Sequence, residues 1–171
     1  ALSISEGLAR NVISANFNGT TVETVTPLTT DGSLVLYTWN DVDGKKAFWH
    51  STSHVMAQAL QEMYPGIKLT IGPAIDNGFY YDVDFGDNKI SDADFKAIED
   101  RILAISKEKH EFKMRAATKA EALDLYKDNE YKTELIQNLE DGTITFCDHA
   151  TFTDLCRGGH IPNTGIIKSV K

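Results

Sequence analysis

The chain has 171 residues, 42% of them hydrophobic and 25% charged, which is enough apolar material for a folded core and too much for wholesale disorder. No apolar run reaches the about 18 residues that a membrane helix needs, and no basic stretch followed by an apolar one marks a signal peptide. The net charge of −8 excludes a protein that grips nucleic acid along a long phosphate track, but not one that reads a single nucleotide end with a few local cations.

Ala1 to Arg10 reads as the later part of a helix, with Leu2, Leu8 and Ala9 on one face. Val12 to Phe17 and Thr21 to Val25 read as strands around Asn18-Gly19, a strong hairpin signal. Asp31-Gly32 marks a turn before a third strand-like run, Leu34 to Trp39. The polar stretch Asn40 to Lys46 makes the best boundary, dividing a β-rich module (1–43) from a larger domain (44–171). The module is too small to fold well alone.

Trp49 to Tyr64 reads as a helix ended by Pro65-Gly66, with Met56, Ala59, Leu60, Met63 and Tyr64 on one flank and His50 and His54 at that flank's edge. Ile67 to Ile71 and Phe79 to Phe85 read as two strands. The second sends Phe79, Tyr81, Val83 and Phe85 to one face and Tyr80, Asp82 and Asp84 to the other. Ser91 and Asp94 cap a helix whose stripe is Phe95, Ile98, Ile102 and Ile105. Glu111 to Arg115 reads as a strand. A second capping box, Thr118 with Glu121, opens a helix to Tyr126, and Tyr131 to Leu139 follows as another. Thr143 to Cys147 and Ile166 to Val170 read as strands around a glycine-rich loop. The mixed order predicts an α+β fold: a small β-rich piece, then an antiparallel sheet with packed helices.

Two short patterns carry the chemistry, His50-Ser-Thr-Ser-His54 and Cys156-Arg-Gly-Gly-His160. Residues four apart on a helix stack one turn above the other, so both imidazoles of the first can converge on one target. Bare pairs of this kind are also common as ordinary histidines. Gly158-Gly159 disfavours helix in the second pattern and favours a tight loop with free backbone N–H groups, able to hold an anionic oxygen. Its plain alternative is a surface turn. Three histidines and a cysteine form a credible tetrahedral zinc set. They equally suit a metal-free arrangement in which histidines orient water, and spacing does not choose between the two. The only cysteines, Cys147 and Cys156, read as reduced thiols of a cytoplasmic protein. His110 and His149 match no motif and read as structural.

Phe48 to His54, Ile71 to Asp82 (IGPAIDNGFYYD), Tyr131-Lys132 and Asp154 to His160 (DLCRGGH) stand in the order and spacing of the editing domain of threonyl-tRNA synthetases, and residues 46–171 resemble it. Residues 1–43 resemble the later portion of the preceding TGS domain, a β-grasp fold. Gly159 departs from the family, where many members have proline, and a glycine leaves that loop freer.

The resemblance implies hydrolysis of serine wrongly esterified to threonine tRNA. His50, His54, Lys132, Cys156 and His160 are then the catalytic wall, and Tyr81, Asp154, Arg157 and Gly158 the substrate contacts. It further implies that the 3′ end of threonine tRNA and the remainder of the synthetase are partners, and that the full-length enzyme is a homodimer. No metal is required for editing. A zinc in the pocket would sit on His50, His54, Cys156 and His160, as the similar alanyl-type domains use. ATP and the threonine-recognising zinc belong to a catalytic core beyond Lys171, both ends of the chain reading as cuts. Two other readings stay open: a non-catalytic tRNA-docking module and a structural zinc domain. Each residue also has a plain role, Tyr81 as core, Lys132 as a solvated lysine, Asp154 as a loop cap, and Arg157 as the partner of a surface carboxylate.

Overall fold

Asn18 and Gly19 both take positive φ (51° and 87°), the geometry that joins two strands with a tight turn. In the computed structural model, which describes residues 1–171, they connect strands β1 (Ser14–Phe17) and β2 (Thr20–Val22). Strand β3 (Leu34–Tyr37) pairs with the other edge of β1, so the sheet order is β2-β1-β3, all antiparallel. Helix α1 (Glu6–Asn11) precedes them, capped by Ser5, whose hydroxyl accepts from Leu8 N–H at 3.0 Å.

Helix α2 runs from Val42 to Met63 and is the spine of the molecule. It begins inside the stretch expected to be a polar connection, because Asp41 turns the chain by accepting from Thr38 N–H (2.7 Å) and Thr38 Oγ1 (3.0 Å). Nor is it amphipathic in the expected way. Residues 51–55 and 57–60 are all buried, as befits a helix enclosed on several sides. The polar run Ser51-Thr52-Ser53 tolerates burial because each hydroxyl has a carbonyl to donate to: Ala47, Phe48 and His50, at 2.7, 2.8 and 2.7 Å.

After α2 comes one irregular hairpin where two plain strands were expected. Strands β4 (Lys68–Leu69) and β7 (Val83–Asp84) pair at its base, and β5 (Ala74–Ile75) pairs with β6 (Gly78–Phe79) at its tip. Pro73 interrupts the ladder between them, having no N–H to donate, while Thr70–Asp82 and Asp82–Ile71 backbone bonds (both 2.9 Å) keep the arms together. The expected alternation holds as far as Val83, with Tyr80 and Asp82 exposed and Phe79, Tyr81 and Val83 turned inward, but Asp84 is half-buried and accepts from the Tyr131 hydroxyl at 2.8 Å.

The Ser91–Asp94 capping box is present and leads through a short 3-10 turn into helix α3 (Phe95–Lys107). Ile98, Ile102 and Ile105 join Val55, Ala59, Leu60 and Phe112 in the main core, whereas Phe95 is 52% exposed. A second three-stranded antiparallel sheet has the order β10-β9-β8, built from β8 (Lys113–Ala116), β9 (Thr145–His149) and β10 (Phe152–Leu155). Helices α4 (Lys119–Leu125) and α5 (Glu130–Gln137) lie between β8 and β9 in the chain, the first opened by the expected Thr118–Glu121 box. Ile166 to Val170 is not a strand. A 3-10 turn at Thr164–Ile166 takes its first residue, the Ile167 N–H closes that turn onto Thr164 O, and the Ile167 side chain enters the main core. Small antiparallel sheets packed with five α-helices make the fold α+β.

Candidate active site

Along β10 the side chains alternate, and Phe152 and Asp154 are the two that face inward. Asp154 is therefore a carboxylate carried into the interior by strand geometry, where it must find partners. Three converge on it. Lys132 Nζ reaches Oδ1 at 2.5 Å from α5, and the Tyr81 hydroxyl donates to Oδ2 at 2.5 Å. His54 Nδ1, from α2, lies 2.9 Å from Oδ2. The ring N–H is not aligned on that oxygen, so this last contact is electrostatic more than directional. Asn129 seats Lys132 by capping α5, accepting from Lys132 N–H at 3.1 Å, and it ties the helix to β4 through Leu69 O at 2.8 Å.

Next to this network is the sulfur-imidazole group. His50 Nε2 is 3.0 Å from Cys156 Sγ and 3.4 Å from His54 Nε2, and His160 Nε2 is 3.3 Å from the same sulfur. Burial opposes charge on His54, but the Cys156 thiolate and the Asp154 carboxylate prevail and raise the imidazole to about 9. Burial equally opposes ionisation of Cys156, and the His54 charge with hydrogen bonds from His160 and His50 holds the thiol well below its usual range. For Asp154 too, burial is outweighed, here by the Lys132 ammonium and by His54, and the carboxyl stays below the ordinary carboxylate range. Cys147, the other free thiol, is raised by burial and by the neighbouring negative charges, and is inert by comparison.

A cavity of about 710 Å³ opens over this group. His50, His54, Lys132, Asp154, Cys156, Arg157 and Gly158 line it; Tyr81 and His160 stand behind the wall and touch the lining residues instead. The expected free N–H groups of the glycine loop are not free. Gly158 N–H points at Cys156 Sγ (3.3 Å) and Gly159 N–H donates to Glu23 Oε1 (2.9 Å). Both glycines have positive φ, 94° and 89°, so they form a bent clasp around the sulfur rather than an anion cradle. The loop is also held at Ile161, whose N–H donates to Ser51 Oγ at 3.0 Å. Nothing in the sequence marks Glu23 as a site residue; its partner His160 lies at the far end of the chain, and the contact exists only in the fold.

His50, His54, Cys156 and His160 offer donor atoms that all lie within 4.8 Å of one another. A tetrahedral zinc holds nitrogen and sulfur donors roughly 3.3–3.8 Å apart, so the set fits zinc once the 3.0 Å His50–Cys156 contact opens slightly and the widest pairs close, and a cysteine already ionised is the ligating form. His149 is separate from this set. It is buried between Phe112 and Phe152, with ring centroids 5.0 and 5.2 Å away, and neither of its nitrogens has a partner. His110 pairs with Glu108 at 2.6 Å.

No protein-family model matches the chain. In sequence the chain is similar to aminoacyl-tRNA synthetases. The chain is 85% identical over all 171 residues to the threonine–tRNA ligase of Flavobacterium psychrophilum, and 82% identical to that of Flavobacterium johnsoniae. It is 50% identical over 173 aligned residues to that of Cytophaga hutchinsonii. In sequence the chain matches a segment of threonine–tRNA ligases, and it spans about a quarter of the length of the curated relatives it matches (26%, 26% and 27%). None of its helices is long and apolar enough to cross a membrane.

Proposed function

We propose that this chain is the proofreading part of a threonine–tRNA ligase, hydrolysing the ester that joins serine to the 3′ end of threonine tRNA. What carries the reading is the cavity floored by His50, His54 and Cys156, with the Lys132–Asp154 pair in the same wall. A pocket that selects threonine cannot strongly exclude serine, because one missing methyl is worth only about 1–3 kcal/mol. A second pocket that overpacks against threonine's methyl group adds a filter of similar size, and the two multiply.

In this reading the 3′-terminal adenosine enters the cavity past Arg157, which is exposed at the wall. Lys132 and Asp154 meet the seryl group's polar atoms, and Tyr81 acts through Asp154. His50, the least buried imidazole of the three, orients the water or the neighbouring ribose hydroxyl. Water adds to the carbonyl carbon, the ester C–O bond breaks, and the proton goes to the departing ribose oxygen, giving free serine and intact tRNA. His54, held protonated by its two anionic neighbours, supplies positive charge beside the developing oxyanion. The division near residue 43 and the homodimer of the full-length enzyme belong to the same proposal.

The donor geometry favours one second reading, a zinc ion on His50, His54, Cys156 and His160; four protein ligands fill a tetrahedral zinc, so it would hold the site together, and would polarise the carbonyl only by accepting it as a fifth ligand. The two separate in one experiment: the chain is mixed with seryl- and threonyl-tRNA(Thr), and release of each amino acid is followed with and without chelator. Faster release of serine, surviving chelation and collapsing in His50→Ala, is the expected result. Complete loss with chelator favours zinc, and faster release of threonine overturns the editing reading.

A further inference from the structure

The glycine clasp does not hold itself. Thr21 and Glu23, two residues apart at the end of β2, face it from the N-terminal sheet, as alternation along an extended chain requires. A Cβ on Gly159 would meet the Thr21 methyl at 3.4 Å, and one on Gly158 would meet Glu23 Oε1 at 3.1 Å. That oxygen accepts from Gly159 N–H at 2.9 Å and from His160 Nδ1 at 3.1 Å. The Glu23 side chain is 11% exposed and that of His160 fully buried.

An imidazole has two different nitrogens, and the partner of one decides which carries the proton. A carboxylate only accepts, so Glu23 keeps a proton on Nδ1 of His160; Nε2 faces Cys156 Sγ and donates to the thiolate when the ring carries its second proton. Without Glu23, the remaining neighbour of Nδ1 is Cys147 Sγ at 3.8 Å, too weak to choose a tautomer, and the buried Gly159 N–H loses its acceptor. We propose that Glu23 is a positioning residue of the pocket: from the N-terminal sheet it fixes the Nδ1–H tautomer of His160 and the Gly158–Gly159 clasp. The sheet thereby completes the site. The kinetic half of this inference rests on the editing reading above; the structural half does not.

The test uses the whole chain carrying Glu23→Met, Glu23→Ala or Glu23→Asp. Nitrogen-15 spectra of the histidine rings read the tautomer of His160, and serine release from mischarged tRNA reads turnover. We expect a single Nδ1–H tautomer in the parent chain and a mixed or reversed one in E23M and E23A. Serine release should fall about 10- to 100-fold in kcat with KM nearly unchanged, and E23D should recover part of it. E23M keeps the side chain's length without an acceptor, so it carries the test if E23A fails to fold. Retention of the Nδ1–H tautomer in E23M overturns the proposal, as does a lost tautomer with kcat intact. Should the parent chain release no serine, the editing reading fails, while the ring spectra still decide whether Glu23 sets His160.

Discussion

Lys132 Nζ and Asp154 Oδ1 are 2.5 Å apart with side chains 2% and 3% exposed, an ion pair joining helix α5 to strand β10 deep in the protein. Removing one partner strands the other charge in a medium that solvates it poorly. Lys132→Met should cost about 3–5 kcal/mol of stability, read from urea midpoints. The double variant Lys132→Met, Asp154→Asn should recover a large part of that, since no net charge is then left buried. A double variant as unstable as the sum of its parts would show that the two charges are not coupled.

Gly72 is a glycine for reasons of space. A Cβ there would come within 2.2 Å of the Tyr81 ring, and the ring cannot retreat while its hydroxyl holds Asp154. Gly72→Ala should cost about 1–3 kcal/mol by overpacking and should slow serine release by loosening Asp154. Gly72→Ala combined with Tyr81→Leu should be less harmful to stability than Gly72→Ala alone. Equal instability of the two would place the clash elsewhere.

His149 makes stability depend on pH. Burial, and then the positive charges of His54 and His160, lower its pKa from 6.5 to about 3, so the folded protein holds it neutral. The unfolded chain binds a proton there first as pH falls. The contribution is therefore fully present above about pH 6.5 and is lost on acidification down to the folded value, at about 1.4 kcal/mol per pH unit. His149→Phe should flatten this slope between pH 6 and pH 4 in denaturation experiments. An unchanged slope would assign the acid sensitivity to other groups.

Ile102 is 1% exposed at the centre of the core formed by α2 and α3. Ile102→Ala should cost about 2–5 kcal/mol, measured by thermal or urea unfolding. Phe95→Ala should be nearly silent, because Phe95 is 52% exposed although it shares the same helical stripe.

What local chemistry decides was legible in the sequence. Asn18-Gly19, the Ser91 and Thr118 caps and the Ile98–Ile102–Ile105 stripe each depend on neighbours within a few residues, and each appears where the pattern puts it. The cluster of His50, His54, Cys156 and His160 was found because two short patterns marked it. Strand β10 was hidden because one of its two inward residues is an aspartate, and an Asp in a short run between turns reads as loop. Only Lys132, Tyr81 and His54 make that strand possible, and all three lie outside it. The expected strand at Ile166–Val170 failed for the opposite reason: the residues are suitable, but a 3-10 turn takes the first of them and is closed by the Ile167 N–H. Glu23 was invisible because an isolated glutamate after a short strand carries no local signal.

Gly44, in the first turn of α2, lies so close to Thr38 that a Cβ there would come within 2.0 Å of the Thr38 carbonyl oxygen. His50 follows six positions later, about 9 Å along the same rod at 1.5 Å per residue. Helix and sheet are thus keyed together where they meet, like a shaft seated in its bearing. A rotation of the N-terminal strands about this contact would carry the imidazole-bearing rod with them.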